Sequence, residues 1–330
     1  MGYRKIKLSV YMKKLLFSTA EYYKPYTYKN LHGRYMHLPA KNKDAKRTFV
    51  LLYGQHATLE RIEPVASALT EFGDVYAVDN PGFGGMEPSF LINEYPSLSF
   101  YAGHLNYFIN RYVPVDRKVT PLGISFGFQI IVQALHDYPE LQYKTEEVVS
   151  FVGFVQPKNF HIPLSYYVTL VFFVGNLSKS WIGSKVVAAC MKEWIVLNIY
   201  RVTRPIQIKL KTLPKAEAKR YSIEQAWLWR INDVRTHGAT AIDFIKKNDL
   251  TSIRLHTNAI HVGIPKDHLV DNAMVVKELN IIFKSLTSYD LQLDNHAPLD
   301  LDSREKLLDI LPQGLISKLS MSVNQKAITL

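Results

Sequence analysis

Cysteine is nearly missing from this chain: Cys190 is the single one in 330 residues. One thiol cannot close an intrachain disulfide, which excludes a disulfide-stapled extracellular scaffold. It lies in an apolar helical pattern, VVAACMKEW, and reads as a buried, inert thiol. Long apolar runs are missing as well. Residues 162–177 and 186–200 are the most apolar stretches, and neither reaches the roughly 18–20 uninterrupted residues of a membrane span. At the N-terminus, Leu15-Leu16-Phe17 is too short for the apolar region of a secretory signal. Ile6 stands where a myristoylation motif wants Ser or Thr. These features point to a cytoplasmic protein. With 16 Gly and 16 Pro, a fibrous or linker-rich chain is excluded. Repeats, low-complexity tracts, dinucleotide fingerprints and metal-ligand spacings do not stand out, so no cofactor and no metal is expected.

Charge is plentiful but uneven. The net value of +11 comes from two places. Residues 1–48 hold 12 Lys/Arg against 2 acids, and residues 151–250 hold 15 against 6, while residues 49–150 are acidic. A basic arm over residues 1–24 reads as an amphipathic helix lying on the fold. Basic patches suit anionic surfaces, but no recognition motif accompanies them, and nucleic acid is not an expected partner.

With 47% hydrophobic residues, the chain can bury a large core. Residues 25–40 read as a hairpin turning at His32-Gly33. Strands are expected at 48–53, 74–79, 119–124 and 148–155. Helices are expected at 59–72, 97–112 and 126–138. This alternation means βαβ units, hence an α/β fold with a mostly parallel sheet. Residues 157–250 break the pattern with several helical signals and almost no strand signal, and read as an inserted lobe. Alternation resumes with a strand at 258–263, a helix at 272–286, a strand at 288–293 and a helix at 303–320.

The chemistry starts at Gly123-Ile124-Ser125-Phe126-Gly127. A serine hydroxyl needs a base and a means of presentation. A tight strand-to-helix turn supplies the second, and it is crowded enough to demand small residues two before and two after the serine. The following helix aims its positive end at the site, and the Phe126 N–H can stabilise an oxyanion. A second donor is expected from Gln55, with Gly54 permitting a strained backbone there. His296, just past the last expected strand, is the candidate base, because α/β sites assemble beyond the C-terminal ends of parallel strands. His261, inside a strand, reads as a satisfied core histidine. Asp267, following the strand at 258–263, is the candidate orienting carboxylate, with Asp271 the alternative. A helix N-cap is the competing role for Asp267.

Together these residues resemble the α/β-hydrolase fold family, its lid-bearing esterase and lipase group in particular. Asp79-Asn80-Pro81-Gly82-Phe83-Gly84 matches that family's Asp-x-Pro-Gly-x-Gly turn. Three departures are present: Tyr53-Gly54 replaces the usual His-Gly, Gly263 lies four residues before the acid rather than three, and Asn295 replaces glycine before the histidine. The resemblance implies an eight-stranded sheet, a core of residues 25–156 and 251–330, and a helical lid over 157–250. It implies a Ser125–His296–Asp267 triad that cleaves carboxylic esters with no cofactor.

The apolar insert favours a hydrophobic ester. Two readings of its helices stand: they pack together and line a pocket, or they dip into an anionic membrane surface. A thioesterase, a carbon–carbon hydrolase and a non-catalytic binding protein of the same fold remain the alternatives.

Overall fold

The computed structural model describes residues 20–42, 45–161, 180–190, 194–195, 198, 215–267, 269–293 and 304–320. His296 and the expected arm up to residue 19 lie outside the described residues, as does much of the insert.

Eight strands form one sheet: β1 (Tyr23–Tyr28), β2 (Leu31–Leu38), β3 (Arg47–Leu52), β4 (Gly73–Val78), β5 (Thr120–Ile124), β6 (Val148–Phe151), β7 (Asn258–Gly263) and β8 (Ser285–Asp290). Their order is β1-β2-β4-β3-β5-β6-β7-β8. β1 and β2 pair antiparallel, β2 joins β4 antiparallel, and every later pair is parallel. Every residue of β3, β5 and β6 is buried, as expected for parallel strands covered on both faces. The edge strand β8 is polar and mostly exposed.

The helices that follow are α1 (Leu59–Leu69), α2 (Leu98–Tyr112), α3 (Phe126–Asp137), α4 (Glu140–Lys144), α5 (Trp181–Cys190), α6 (Lys215–Ile231), α7 (Val234–Lys246), α8 (Asn272–Ile282), α9 (Arg304–Ile310) and α10 (Gln313–Ser320). Side-chain caps start several of them: Ser97 Oγ accepts from Phe100 N (3.1 Å), Asp233 Oδ2 from Thr236 N (2.7 Å) and Asp271 Oδ1 from Met274 N (2.9 Å). Each satisfies an N–H that the first helical turn leaves without a partner.

Strand order fixes where a site can form. From β3 the chain crosses to β4 on one side, then to β5 on the other. The C-terminal ends of β3 and β5 therefore flank the point where the winding reverses, where loops diverge and leave a crevice.

Several local expectations need correction. The hairpin turns at Lys29-Asn30, whose φ values of 48° and 68° fit a tight left-handed turn. His32 and Gly33 lie within β2, and a Cβ on Gly33 would sit 2.6 Å from Met86 Cγ, so a packed neighbour, not a turn, requires that glycine. β6 ends at Phe151, because Val152 turns to φ 47°. β8 begins three residues before the expected position. The expected helix 303–320 is two helices, divided at Leu311-Pro312, since proline lacks the N–H to continue the first. Cys190 is exposed rather than buried; only Val187 of α5 is buried.

Candidate active site

Ser125 joins β5 to α3 with φ 51° and ψ −117°. A non-glycine residue at positive φ outside the usual left-handed well is strained and persists only where its surroundings hold it. Here the restraints are visible. Ser125 N donates to Phe151 O of the adjacent strand (3.0 Å), and Ser125 O accepts from Phe128 N (3.0 Å). Unlike Ser97, the Ser125 side chain does not cap its own helix, so its hydroxyl is not committed to that task.

The two flanking glycines are spatial requirements. A Cβ on Gly123 would lie 2.5 Å from Phe128 N, and one on Gly127 would lie 2.5 Å from Leu52 O. α3 thus packs directly on the backbones of β3 and β5. Phe126, as the first residue of α3, has an N–H with no carbonyl of its own helix to meet.

The register pairs Leu52 of β3 with Gly123 of β5, which brings the loop after β3 beside the serine. A Cβ on Gly54 would sit 3.2 Å from Ser125 Cβ and 3.8 Å from Oγ. Gly54 thus lets this loop approach the serine closely, where a methyl would press on Ser125 Cβ. The expected strain lies two residues on, at His56 with φ 58°. The Gln55 side chain turns to α7, where its Nε2 donates to His237 O (3.0 Å) and Thr240 Oγ1 (2.7 Å). The rings of His56 and His237 are 4.5 Å apart.

Tyr53 explains one departure from the family pattern. Its hydroxyl donates to Asp79 Oδ1 (2.9 Å) and accepts from Asn80 N (2.8 Å), tying the loop after β3 to the turn after β4. Arg34 Nε donates to the other oxygen of Asp79 (2.8 Å). In that turn Gly82 and Gly84 take φ values of 86° and 61°.

Asp267 lies in the loop after β7, two strands from β5. Its Oδ1 accepts from Leu269 N (2.8 Å) and Val270 N (3.3 Å), which stiffens the loop. Asp271, not Asp267, is the helix N-cap. His261 is the satisfied core histidine expected from its place in a strand. Its Nε2–H donates to Asn272 Oδ1 (2.9 Å), and its Nδ1 accepts from the Ser150 hydroxyl (2.9 Å). The structure therefore brings together Gly54, Gln55, Gly123, Ser125, Phe126 and Gly127, and places Asp267 on the same sheet end. Among the described residues, no group of three or more His, Cys, Asp or Glu could hold a metal ion.

Aromatic side chains surround the elbow. Phe126 faces Phe244 of α7 at 6.4 Å between ring centroids. Phe154 and Phe160, beyond β6, pack on Phe244 at 5.9 and 5.4 Å. Sequence reading did not foresee the part played by His237, Thr240 and Phe244. They occupy one face of α7 and meet segments more than eighty residues away, and no local signal marks such a meeting.

Buried histidines make the fold acid-sensitive. Burial pushes His104 down to about 3 and His237 down to about 4, and it also lowers His56. Below the ordinary value near 6.5, the unfolded chain holds protons that the folded chain refuses, so stability falls as pH drops. Each such histidine contributes a slope of about 1.4 kcal/mol per pH unit. Asp79 acts oppositely: burial pushes it up to about 7 against the pull of Arg34. The folded chain keeps its proton where the unfolded chain loses it, which offsets one histidine between pH 4 and 7. The urea midpoint is expected to fall from pH 6.5 to pH 4.5, and His104→Phe to make the fall shallower. A flat profile would contradict this balance.

These features are those of the α/β-hydrolase fold, and the chain has that fold. It is similar to an enol-lactonase from Burkholderia xenovorans, with a TM-score of 0.61 and 12% identity over 90% of this chain and 99% of that one. It is likewise similar to an esterase from a Rhodococcus species (TM-score 0.60, 14% identity, 91% and 98% covered). A bacterial membrane phospholipase A, described as a virulence factor, superposes with a TM-score of 0.62 at 15% identity, covering 94% and 93%. By sequence alone, no family model and no curated protein matches the chain.

Proposed function

We propose that this chain is a serine hydrolase that cleaves carboxylic esters carrying hydrophobic acyl groups. The observation that carries the reading is the strained elbow at Ser125, at the winding reversal, with Gly54 against it and a helix beginning at the next residue. Ser125 Oγ attacks the ester carbonyl while His296 takes its proton. The tetrahedral oxyanion is held by the N–H groups of Gln55 and Phe126. His296 then protonates the departing alcohol as the C–O bond breaks. Water, activated by the same imidazole, releases the acid and restores the serine. Asp267 orients the imidazole and stabilises its charged form. β5 and β7 lie about 10 Å apart, a gap that one imidazole with a hydrogen bond on each side bridges. Residues 25–156 and 251–330 form the core in this reading, and residues 157–250 form the lid. The aromatic side chains around Phe126 and Phe244 favour an apolar acyl group.

Nitrophenyl esters of rising chain length test this directly. Asp267→Asn is expected to lower kcat about 10⁴-fold by disturbing the histidine tautomer. Asp271→Ala is expected to keep the activity and cost about 1 kcal/mol of stability through the lost cap. The reverse pattern would make Asp271 the orienting acid. Ester turnover present in the wild-type protein and lost in Ser125→Ala separates an enzyme from a non-catalytic binding protein. Parallel thioesters and diketones separate ester from thioester and carbon–carbon cleavage.

A second observation favours a lipid surface as the place of action. α5 exposes Trp181 (63%) and Ile182 (68%), and Trp194 follows at 62%. Lys185 Nζ sits 3.6 Å above the Trp181 ring, and the surrounding segment is basic. Aromatic side chains flanked by lysines suit the headgroup region of an anionic bilayer. Among the described residues no helix is long and apolar enough to cross a membrane. Anionic phosphatidylglycerol vesicles are expected to bind the protein, less so in high salt, and to raise long-chain ester hydrolysis several-fold. A short-chain preference indifferent to vesicles would remove this reading.

A further inference from the structure

Helix α7 presents His237, Thr240 and Phe244 towards the winding reversal at spacings of three and four residues, one face of a helix. The first two hold Gln55. A carboxamide nitrogen carries two hydrogens, and here both are used: one on His237 O (3.0 Å), the other on Thr240 Oγ1 (2.7 Å). Thr240 gives its own hydroxyl hydrogen to Thr236 O (2.9 Å), which leaves a lone pair aimed at Gln55. Phe244 meets the Phe126 ring. One helix therefore grips both residues whose N–H groups would face the oxyanion.

The helix is itself anchored. Asp233 N donates to Gly82 O (2.8 Å), and Asn232 Oδ1 accepts from Gly84 N (2.8 Å). A Cβ on Gly82 would meet Thr236 Oγ1 at 2.5 Å. Beyond Gln55 the chain bends at once through His56 at φ 58°, a conformation that needs external support.

We propose that α7 is the positioning element of the oxyanion hole, with Thr240 and the His237 carbonyl fixing the Gln55 loop. The proposal rests on the serine-hydrolase reading. An oxyanion donor works only at about 2.7–3.1 Å from the developing charge, and a displacement near 1 Å can cost about 100-fold. Freed from Thr240, the Gln55 loop loses one of the two bonds that set its direction, while the surfaces that bind the ground state stay in place.

Thr240→Val keeps the side-chain shape and removes the acceptor. Its kcat on a nitrophenyl ester and its rate of phosphonylation by a fluorophosphonate are expected to fall together, about 10- to 100-fold, with KM changed less than about 2-fold. Thr240→Ser is expected to recover most of the loss. Thr240→Val added to Gln55→Met is expected to cost little more than Gln55→Met alone, because methionine has already removed the contact to Thr240. A kcat unchanged in Thr240→Val, a loss carried by KM, or a loss that serine does not restore overturns the positioning role while leaving the hydrolase reading intact. Wild-type protein that neither turns over esters nor labels at Ser125 overturns the hydrolase reading, and this inference with it.

Discussion

Ser125→Ala is expected to lower ester hydrolysis about 10⁵-fold while leaving the fold in place. Removing a nucleophile that works with its base as a unit costs about as much as removing the whole set. The elbow is restrained through its backbone. Its restraints are the backbone bond from Ser125 N to Phe151 O and the fit of Gly123, Gly127 and Gly54, and alanine keeps all of them. Stability should therefore change by less than about 1 kcal/mol. kcat/KM on a nitrophenyl ester and the urea midpoint, measured on the same preparation, separate the two effects. Unchanged turnover in a folded Ser125→Ala would assign the chemistry elsewhere.

Gly127→Ala is expected to damage structure and activity together. Its new methyl would stand 2.5 Å from Leu52 O and 2.7 Å from Tyr53 O. Both carbonyls lie on or just past β3, which is held in the sheet between β4 and β5. Neither can retreat, so α3 must move away. Overpacking of this kind costs about 1–3 kcal/mol. A shift of α3 by about 1 Å carries Ser125 and the Phe126 N–H with it, and that displacement is worth about 100-fold in rate. Gly123→Ala should act in the same direction, since its methyl would strike the backbone at Phe128. Near-wild-type stability and rate in Gly127→Ala would show that the tight approach of α3 is not required.

The elbow was legible because its residue pattern is local, even where the crowding at Gly127 comes from the backbone of β3. A buried strand, a crowded turn and a helix start occupy ten consecutive residues, and each leaves a pattern in residue type. The same holds for β7, which runs over Asn258–Gly263 as expected, and for the α/β alternation around it. The misplaced hairpin turn has a distant cause: Gly33 is small because Met86 leans on it, and glycine looks the same in a turn as in a crowded strand. β8 was shifted because Leu291 and Leu293 mimic strand alternation just beyond its end. Cys190 looked buried because α5 is apolar on nearly every side, and most of those sides face out. The grip of α7 on Gln55 joins residues 185 positions apart through ordinary polar groups and has no signature in the chain.

The central claim is that Ser125 is an activated nucleophile, and covalent labelling tests it most directly. Native protein treated with a fluorophosphonate should gain the mass of a single phosphonyl group, mapped to Ser125, and should lose ester turnover in step with that gain. Labelling that is absent in folded protein, or that falls on another residue while esters are still cleaved, would contradict the account.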